Sequence, residues 1–184
     1  RNSWEKVDGA KIAAVADPSP ESRAKAEKEW GAKAYETVDA MLAAEKLDAV
    51  SICSPPKFHE EAALKCLAAG IPVFCEKPLS RSAAEAQRIA DAAKKSGVPF
   101  GLAFCHRFEP GVAAVKEAIT EGKLGKVLMV RNRFGGLQDM RSKWFGDPDV
   151  AGGGALLDTS IHSIDIFRFL AGEVAWVDAV TTTF

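Results

Sequence analysis

No C-x-x-C pair occurs among the four cysteines, Cys53, Cys66, Cys75 and Cys105. That spacing is what a zinc knuckle or a thioredoxin-type redox site requires, so neither is expected. The chain has no apolar run long enough to cross a bilayer, and residues 1–6 lack the apolar core of a signal peptide. It has no block of like charge either. Twenty-four Lys and Arg are interspersed with 25 Asp and Glu, an arrangement with no basic stripe for nucleic acid and no acidic tail for a tethered partner. Internal repeats and low-complexity tracts are absent. Glycine is scarce at the start, where the first 16 residues hold only Gly9. What is present is apolar: hydrophobic residues make up 47% of 184, enough to build a core in one domain or parts of two. Three of the cysteines end apolar, strand-like runs. All four are expected to be buried free thiols in a reducing cytoplasm.

The first half alternates short apolar runs with helical patterns. Residues 11–16 read as a strand. Ser19 is placed to cap the next helix and Pro20 suits its first position; the helix runs to about Trp30, where Gly31 can stop it. A short strand at residues 34–35 and a short helix over 38–44 follow, then a clear strand over 48–53, broken by Ser54-Pro55-Pro56. The helix from about Phe58 puts Ala63, Cys66 and Leu67 on one face and stops at Gly70. Residues 72–75 are a further strand. Ser82-Ala83-Ala84-Glu85 has the form of a capping box, opening a helix with Ala86, Ile89, Ala90 and Ala93 inward. Gly97 ends it, and residues 100–104 are the next strand.

Continuous apolar strands joined by helices predict a parallel sheet covered on both faces, with right-handed crossovers. Beyond Arg107 the pattern changes. A helix to about residue 121, a strand over 126–134, a glycine- and charge-rich loop over 135–154, a helix over 155–170 and a closing strand over 174–184 are expected. The fold class is therefore α/β, with residues 1–106 as one domain and 107–184 as the start of a second, α+β domain with an antiparallel sheet.

Four places can carry chemistry. Asp17 follows a strand, where an acid can bind ribose hydroxyls and disfavours a 2′-phosphate; it also fits as a turn residue before Pro18. The loop from Ser54 to His59 leaves the carboxyl edge of the sheet, where ligands bind in open α/β folds, although an ordinary strand-to-helix turn looks the same. Glu76-Lys77-Pro78 ends a buried strand. A lysine there can donate to a substrate hydroxyl and stabilise the alkoxide that develops as hydride leaves, and a surface ion pair is the plainer alternative. Finally, Gly152-Gly153-Gly154 precedes a helix on which Asp158, His162 and Asp165 fall at i, i+4 and i+7, with Leu157, Ile161 and Ile164 on a neighbouring inward face. His162 is suited to act as a base, with a carboxylate one turn away. Two other readings stay open: a merely hydrogen-bonded histidine, and a metal site built from Asp158, His162 and Asp165, to which His106 and Asp139 can be added.

In this order, the acid after a strand, Ser54-Pro55-Pro56 with His59, Glu76-Lys77-Pro78, His106-Arg107-Phe108 and Gly152-Gly153-Gly154 with Asp158-x-x-x-His162 resemble the Gfo/Idh/MocA family, over nearly the whole chain. The resemblance implies a Rossmann-like parallel sheet, here lacking its first strand and glycine loop, followed by an incomplete substrate domain. It implies NAD(P)-dependent hydride transfer between nicotinamide and a secondary alcohol of a sugar, inositol or related polyol. Lys77, Asp158 and His162 would be the catalytic set. Asp17, Ser54, Pro55, His59, Glu76, Lys77 and Arg107 would line the cofactor site. Trp144, Asp158 and His162 would border the substrate. Asp17 favours NAD without excluding NADP, and Arg23 lies too far into its helix to argue for a 2′-phosphate.

The resemblance further implies a homo-oligomeric parent, and a segment that binds NAD weakly or not at all and is inactive by itself. Two competing readings remain: a non-catalytic NAD-binding relative, against which the retention of both Lys77 and His162 speaks, and a metal-dependent hydrolase or lyase using Asp158, His162 and Asp165. The loop over 135–150, with Arg141, Lys143 and Trp144, is expected to shape the substrate site.

Overall fold

The computed structural model describes residues 4–133 and 143–180. After a 3-10 turn at Trp4–Lys6 come β1 (Ala14–Ala16), α1 (Pro20–Trp30), β2 (Lys33–Tyr35), α2 (Val38–Ala44), β3 (Val50–Ile52), α3 (His59–Ala68), β4 (Val73–Cys75), α4 (Ala83–Ser96) and β5 (Phe100–Leu102). A 3-10 turn at Cys105–Phe108 then leads to α5 (Pro110–Thr120), and later to α6 (Pro148–Ala151), α7 (Ala155–Asp158) and α8 (Ser160–Ala171).

Local chemistry accounts for most of these boundaries. The Ser19 hydroxyl accepts from the Ser22 N–H at 3.3 Å, Pro20 occupies the first helical position, and Gly31 closes α1 in the left-handed conformation at φ 60°, its N–H donating to the Glu27 carbonyl. That backbone region costs a residue with a Cβ, which is why glycine stands there. Thr37 caps α2 in the same way through the Ala40 N–H. At α4 the capping box is only half formed. Ser82 accepts from the Glu85 N–H, but the Glu85 carboxylate takes the Arg81 N–H and guanidinium instead of returning to Ser82. An ion pair with the Arg81 guanidinium outweighs a bond from an uncharged backbone N–H.

The strands are parallel, as the apolar runs require. They form two ladders, β1–β2 and β3–β4–β5, with no hydrogen-bonded pair joining them among the described residues. The expected cover on both faces is not observed. Ile52, Val73 and Cys75 are buried against Ala63, Cys66 and Leu67 of α3 and Ile89 of α4, and these seven residues are the core. The opposite face carries Ser51 and Phe74, the latter 42% exposed with Trp4 edge-on at 6.2 Å. Ile89 has no exposed surface, so its side chain is worth about 2–5 kcal/mol against truncation to alanine. Ala90, expected inward on the same helix, faces solvent; it sits one position past Ile89, and a helix turns about 100° per residue.

Beyond Arg107 the departures are larger. Residues 126–133 and 174–180 form no strand, and Leu128, Met129, Val177 and Val180 are largely exposed. Strand pairing needs a neighbouring ladder to hydrogen-bond, and none faces these segments among the described residues. The rest of the expected strands and of the loop, including Phe134, Asp139 and Arg141, lies outside the described residues.

Candidate active site

Because β3 and β4 are parallel neighbours, their carboxyl ends open on one edge, and β1 ends in the other ladder. Asp17 leaves β1, Cys53 and Ser54 leave β3, and Glu76 leaves β4, its N–H still donating to the Ile52 carbonyl. His59 ties this edge together. It is fully buried, with Nδ1 2.9 Å from the Pro78 carbonyl oxygen and Nε2 2.7 Å from that of Ser54. It thus holds the loops after β3 and β4 in register with each other and offers no surface to a ligand. Pro55 is part of the same loop and precedes the 3-10 turn Pro56–Phe58.

This edge fits a dinucleotide. The Asp17 Oδ1 accepts from the Ser19 N–H at 2.8 Å, leaving the other carboxylate oxygen without a partner among the described residues, suited to a ribose hydroxyl. The Ser54 hydroxyl oxygen is buried and has no hydrogen-bond partner among the described residues, an unmet polar group at the end of β3. Arg23 differs from expectation. Its guanidinium reaches back from α1 to donate to the Asp17 carbonyl at 2.8 Å and the Pro18 carbonyl at 3.0 Å. A residue about one turn into a helix can still reach its N-terminus, because side chains lean that way.

Lys77 crosses from this edge to the second half of the chain. Its Nζ donates to the Asp158 carbonyl at 2.6 Å and to the Asp158 Oδ1 at 3.2 Å. The helix that was expected to carry Asp158 and His162 on one continuous face breaks at Thr159, where ψ is −47° but φ has moved to −105°. Asp158 therefore ends α7 while His162 lies in the first turn of α8. The entry to these helices is close-packed. A Cβ on Gly152, at φ 82°, would stand 2.5 Å from the Arg81 Cβ. Arg81 in turn donates to the Asp149 carbonyl at 2.7 Å, so the Glu-Lys-Pro strand end and the glycine stretch meet through backbone contact that only glycine permits.

The inward face of α8 is polar. His162, Ser163, Asp165 and Ile166 are its buried residues, whereas Ile164, expected inside, is 39% exposed. The shift in helical phase at Thr159 explains the difference, since the face was projected from α7. Asp165 receives the Arg107 guanidinium in a bidentate pair through Nε and Nη2, and Arg107 also lies over the rings of Phe104 and Phe169. Arg107 therefore has one face of its fork committed to α8. Ser163 donates to the Asn132 side-chain oxygen at 2.6 Å.

His162 is 7% exposed and its Nδ1 is buried without a partner among the described residues. Burial first, then the charges of His106 and Lys77, hold it below the usual imidazole value, against the opposing pull of Asp165 and Asp158. Its surroundings thus favour the uncharged ring over the charged one. Phe104 packs edge-on at 6.0 Å and the His106 ring at 4.3 Å.

The metal site proposed from Asp158, His162 and Asp165 does not assemble, because Lys77 takes Asp158 and Arg107 takes both oxygens of Asp165. Trp144, expected at the substrate, stacks on Phe145 at 3.7 Å in a 3-10 turn. The Arg107–Asp165 pair, Ser163 and the neighbourhood of Cys105 and His106 were missed by sequence reasoning. An arginine directly after His106 was the one available signal. The cysteines divide: Cys66 and Cys75 are buried, whereas Cys53 and Cys105 are exposed, because both exposed thiols lie past a strand end, outside the helical cover.

Two family models match the chain. One, described as "Oxidoreductase family, NAD-binding Rossmann fold", covers residues 1–104, and the other, a "GFO/IDH/MocA C-terminal domain", covers residues 112–184. Levoglucosan dehydrogenase of Pseudarthrobacter phenanthrenivorans is 34% identical over 92% of this chain and 45% of its own. Inositol 2-dehydrogenase 2 of Saccharopolyspora erythraea is 33% identical over 91% of this chain and 48% of its own. Among solved structures, levoglucosan dehydrogenase in complex with NADH and levoglucosan superposes with a TM-score of 0.83 at 30% identity, over 95% of this chain and 48% of that one. The chain spans about half the length of these relatives.

Proposed function

The chain belongs to the Gfo/Idh/MocA oxidoreductase family, with an NAD-binding Rossmann fold, and from this we propose that its protein oxidises a secondary alcohol of a sugar, inositol or related polyol using Lys77, Asp158 and His162. The observation that carries the reading is the contact of Lys77 with Asp158 beside a buried, neutral His162. Nicotinamide, when bound, supplies the acceptor for the hydride that leaves the carbinol carbon.

The protein's own groups do the rest. Asp158 holds the Lys77 ammonium at the mouth of the crevice. From there Lys77 donates to the hydroxyl oxygen and stabilises the negative charge that grows on it. His162 accepts the hydroxyl proton on a ring nitrogen, and the remaining electron pair forms the carbonyl as hydride departs. Arg107, by clamping Asp165, fixes the helix that carries His162. Asp17, Ser54, Pro55 and Glu76 would border the cofactor at the carboxyl edge, with His59 acting behind them. The preference is for NAD, and the domain boundary is placed at Arg107. Levoglucosan and inositol, the compounds named for the relatives, define the substrate class to screen.

The test is Lys77→Ala in the purified complete protein of which this chain is part, assayed by NADH formation against a panel of polyols and anhydrosugars. Hydride transfer should fall by roughly 10²–10³-fold or more, with cofactor binding largely kept. An unchanged rate would overturn the assignment. No helix among the described residues is long and apolar enough to cross a membrane.

A further inference from the structure

We propose that Cys105, His106 and His162 form a three-ligand site for a zinc-class divalent cation, and that its occupation silences the enzyme. One ligand atom from each of the three side chains lies within 4.8 Å of the others, and this is the group of three such side chains found among the described residues. Tetrahedral zinc, with Zn–S near ~2.3 Å and Zn–N near ~2.0–2.1 Å, brings its ligand atoms somewhat closer together than that. Cys105 and His106 lie at the start of the Cys105–Phe108 turn, and Cys105 is exposed, so the closing movement falls on side chains with room to make it.

Each ligand is prepared for the role. His162 is buried, with a ring nitrogen that has no hydrogen-bond partner among the described residues. The Glu109 carboxylate pairs with His106 Nδ1. A carboxylate on one ring nitrogen fixes the tautomer and raises the basicity of the other, the arrangement found behind metal-ligating histidines. Cys105 supplies a soft donor. As its Zn–S bond forms, the thiol proton passes to solvent, so about one proton is released per ion and no electron is transferred. The donor set of one sulfur and two nitrogens selects zinc-like ions over magnesium or calcium, which prefer oxygen.

The consequence follows from the shared ligand. A lone pair on His162 that is bound to a cation cannot accept a hydroxyl proton. Inhibition thus rests on the catalytic reading above, whereas binding does not.

Cobalt(II) is the direct probe. Titrated into chelator-stripped protein, it should saturate near about one equivalent with tetrahedral visible bands and a thiolate charge-transfer band, be displaced by Zn²⁺, and ignore Mg²⁺. Zn²⁺ should inhibit the dehydrogenase reversibly, with activity returning on chelation. Cys105→Ser, at an exposed residue outside the proposed catalytic set, should keep the basal rate, lose the charge-transfer band and need about tenfold or more Zn²⁺ for the same inhibition. Glu109→Gln should weaken binding by about 10- to 100-fold while keeping that band. An octahedral spectrum without a thiolate band, or equal zinc sensitivity in Cys105→Ser, overturns the site. A tetrahedral thiolate spectrum in a protein that transfers no hydride upholds the metal site and overturns the catalytic assignment instead.

Discussion

The Nζ of Lys77 donates to the backbone carbonyl of Asp158 at 2.6 Å and to its carboxylate at 3.2 Å, across 81 positions of sequence. The pair is about one-fifth exposed on each side, so it is neither a solvated surface bridge nor a sealed one. It joins the end of β4 to the α7–α8 helix pair.

Asp158→Asn keeps the backbone contact to Lys77 and removes the charge of the carboxylate. The expected outcome is a fall in kcat of about 10–100-fold with a modest change in stability, because the ion pair is replaced by a weaker bond from the ammonium to a neutral amide oxygen. Steady-state kinetics beside a urea melt distinguish this from loss of the fold, which would move both together.

With His162 as the proposed base, the acid limb of the rate profile should follow its titration. Its folded value lies below the ordinary 6.5, chiefly through burial and then through the charges of His106 and Lys77, with Asp165 and Asp158 opposing them. In chelator-treated protein, activity should therefore survive as pH falls through 6.5 and be lost only below it. The same shift has a cost in stability. Between the folded value and 6.5 the unfolded chain binds the extra proton, so stability declines with acidification over that window and is unaffected by this group above it. A limb centred above 6.5 would contradict the buried placement.

The four cysteines should separate into two classes. Burial pushes the Cys66 thiol up to about 11 and, with Cys53 and Glu76 adding to it, Cys75 up to about 12. Cys53 and Cys105 are exposed. A thiol reagent at neutral pH should modify those two in the native protein and reach Cys66 and Cys75 only after denaturation, since the thiolate is the reactive form. Mass mapping of modified peptides gives the answer, and native labelling of Cys66 would count against the core.

Cofactor choice turns on Asp17. Replacing it by Ser removes the carboxylate that would repel a 2′-phosphate and leaves the Arg23 guanidinium nearby, bonded to the Asp17 and Pro18 carbonyls. The ratio of NAD to NADP efficiency should fall by on the order of tenfold or more. An unchanged ratio would place the adenosine end elsewhere.

Much of this was legible in the sequence, for local reasons. Ser19, Pro20 and Gly31 bound α1 because caps act over three or four residues. The runs ending at Ile52 and Cys75 became parallel strands, and Ala63, Cys66 and Leu67 form the buried face of α3 because helical spacing dictates it. The order of motifs singled out Lys77, Asp158 and His162, and the structure brings Lys77 to Asp158. The sequence by itself thus determined the elements of the first half, their caps and the family.

Tertiary structure decided what lies beside what. The break at Thr159 turned α8 so that His162 and Asp165 are buried while Ile164 is exposed. Arg107 went to Asp165, Arg23 turned back to Asp17, and Cys105 came to rest with His106 beside His162. None of these has a sequence period. Each depends on packing between residues far apart in the chain, where a shift of part of a helical turn exchanges one partner for another.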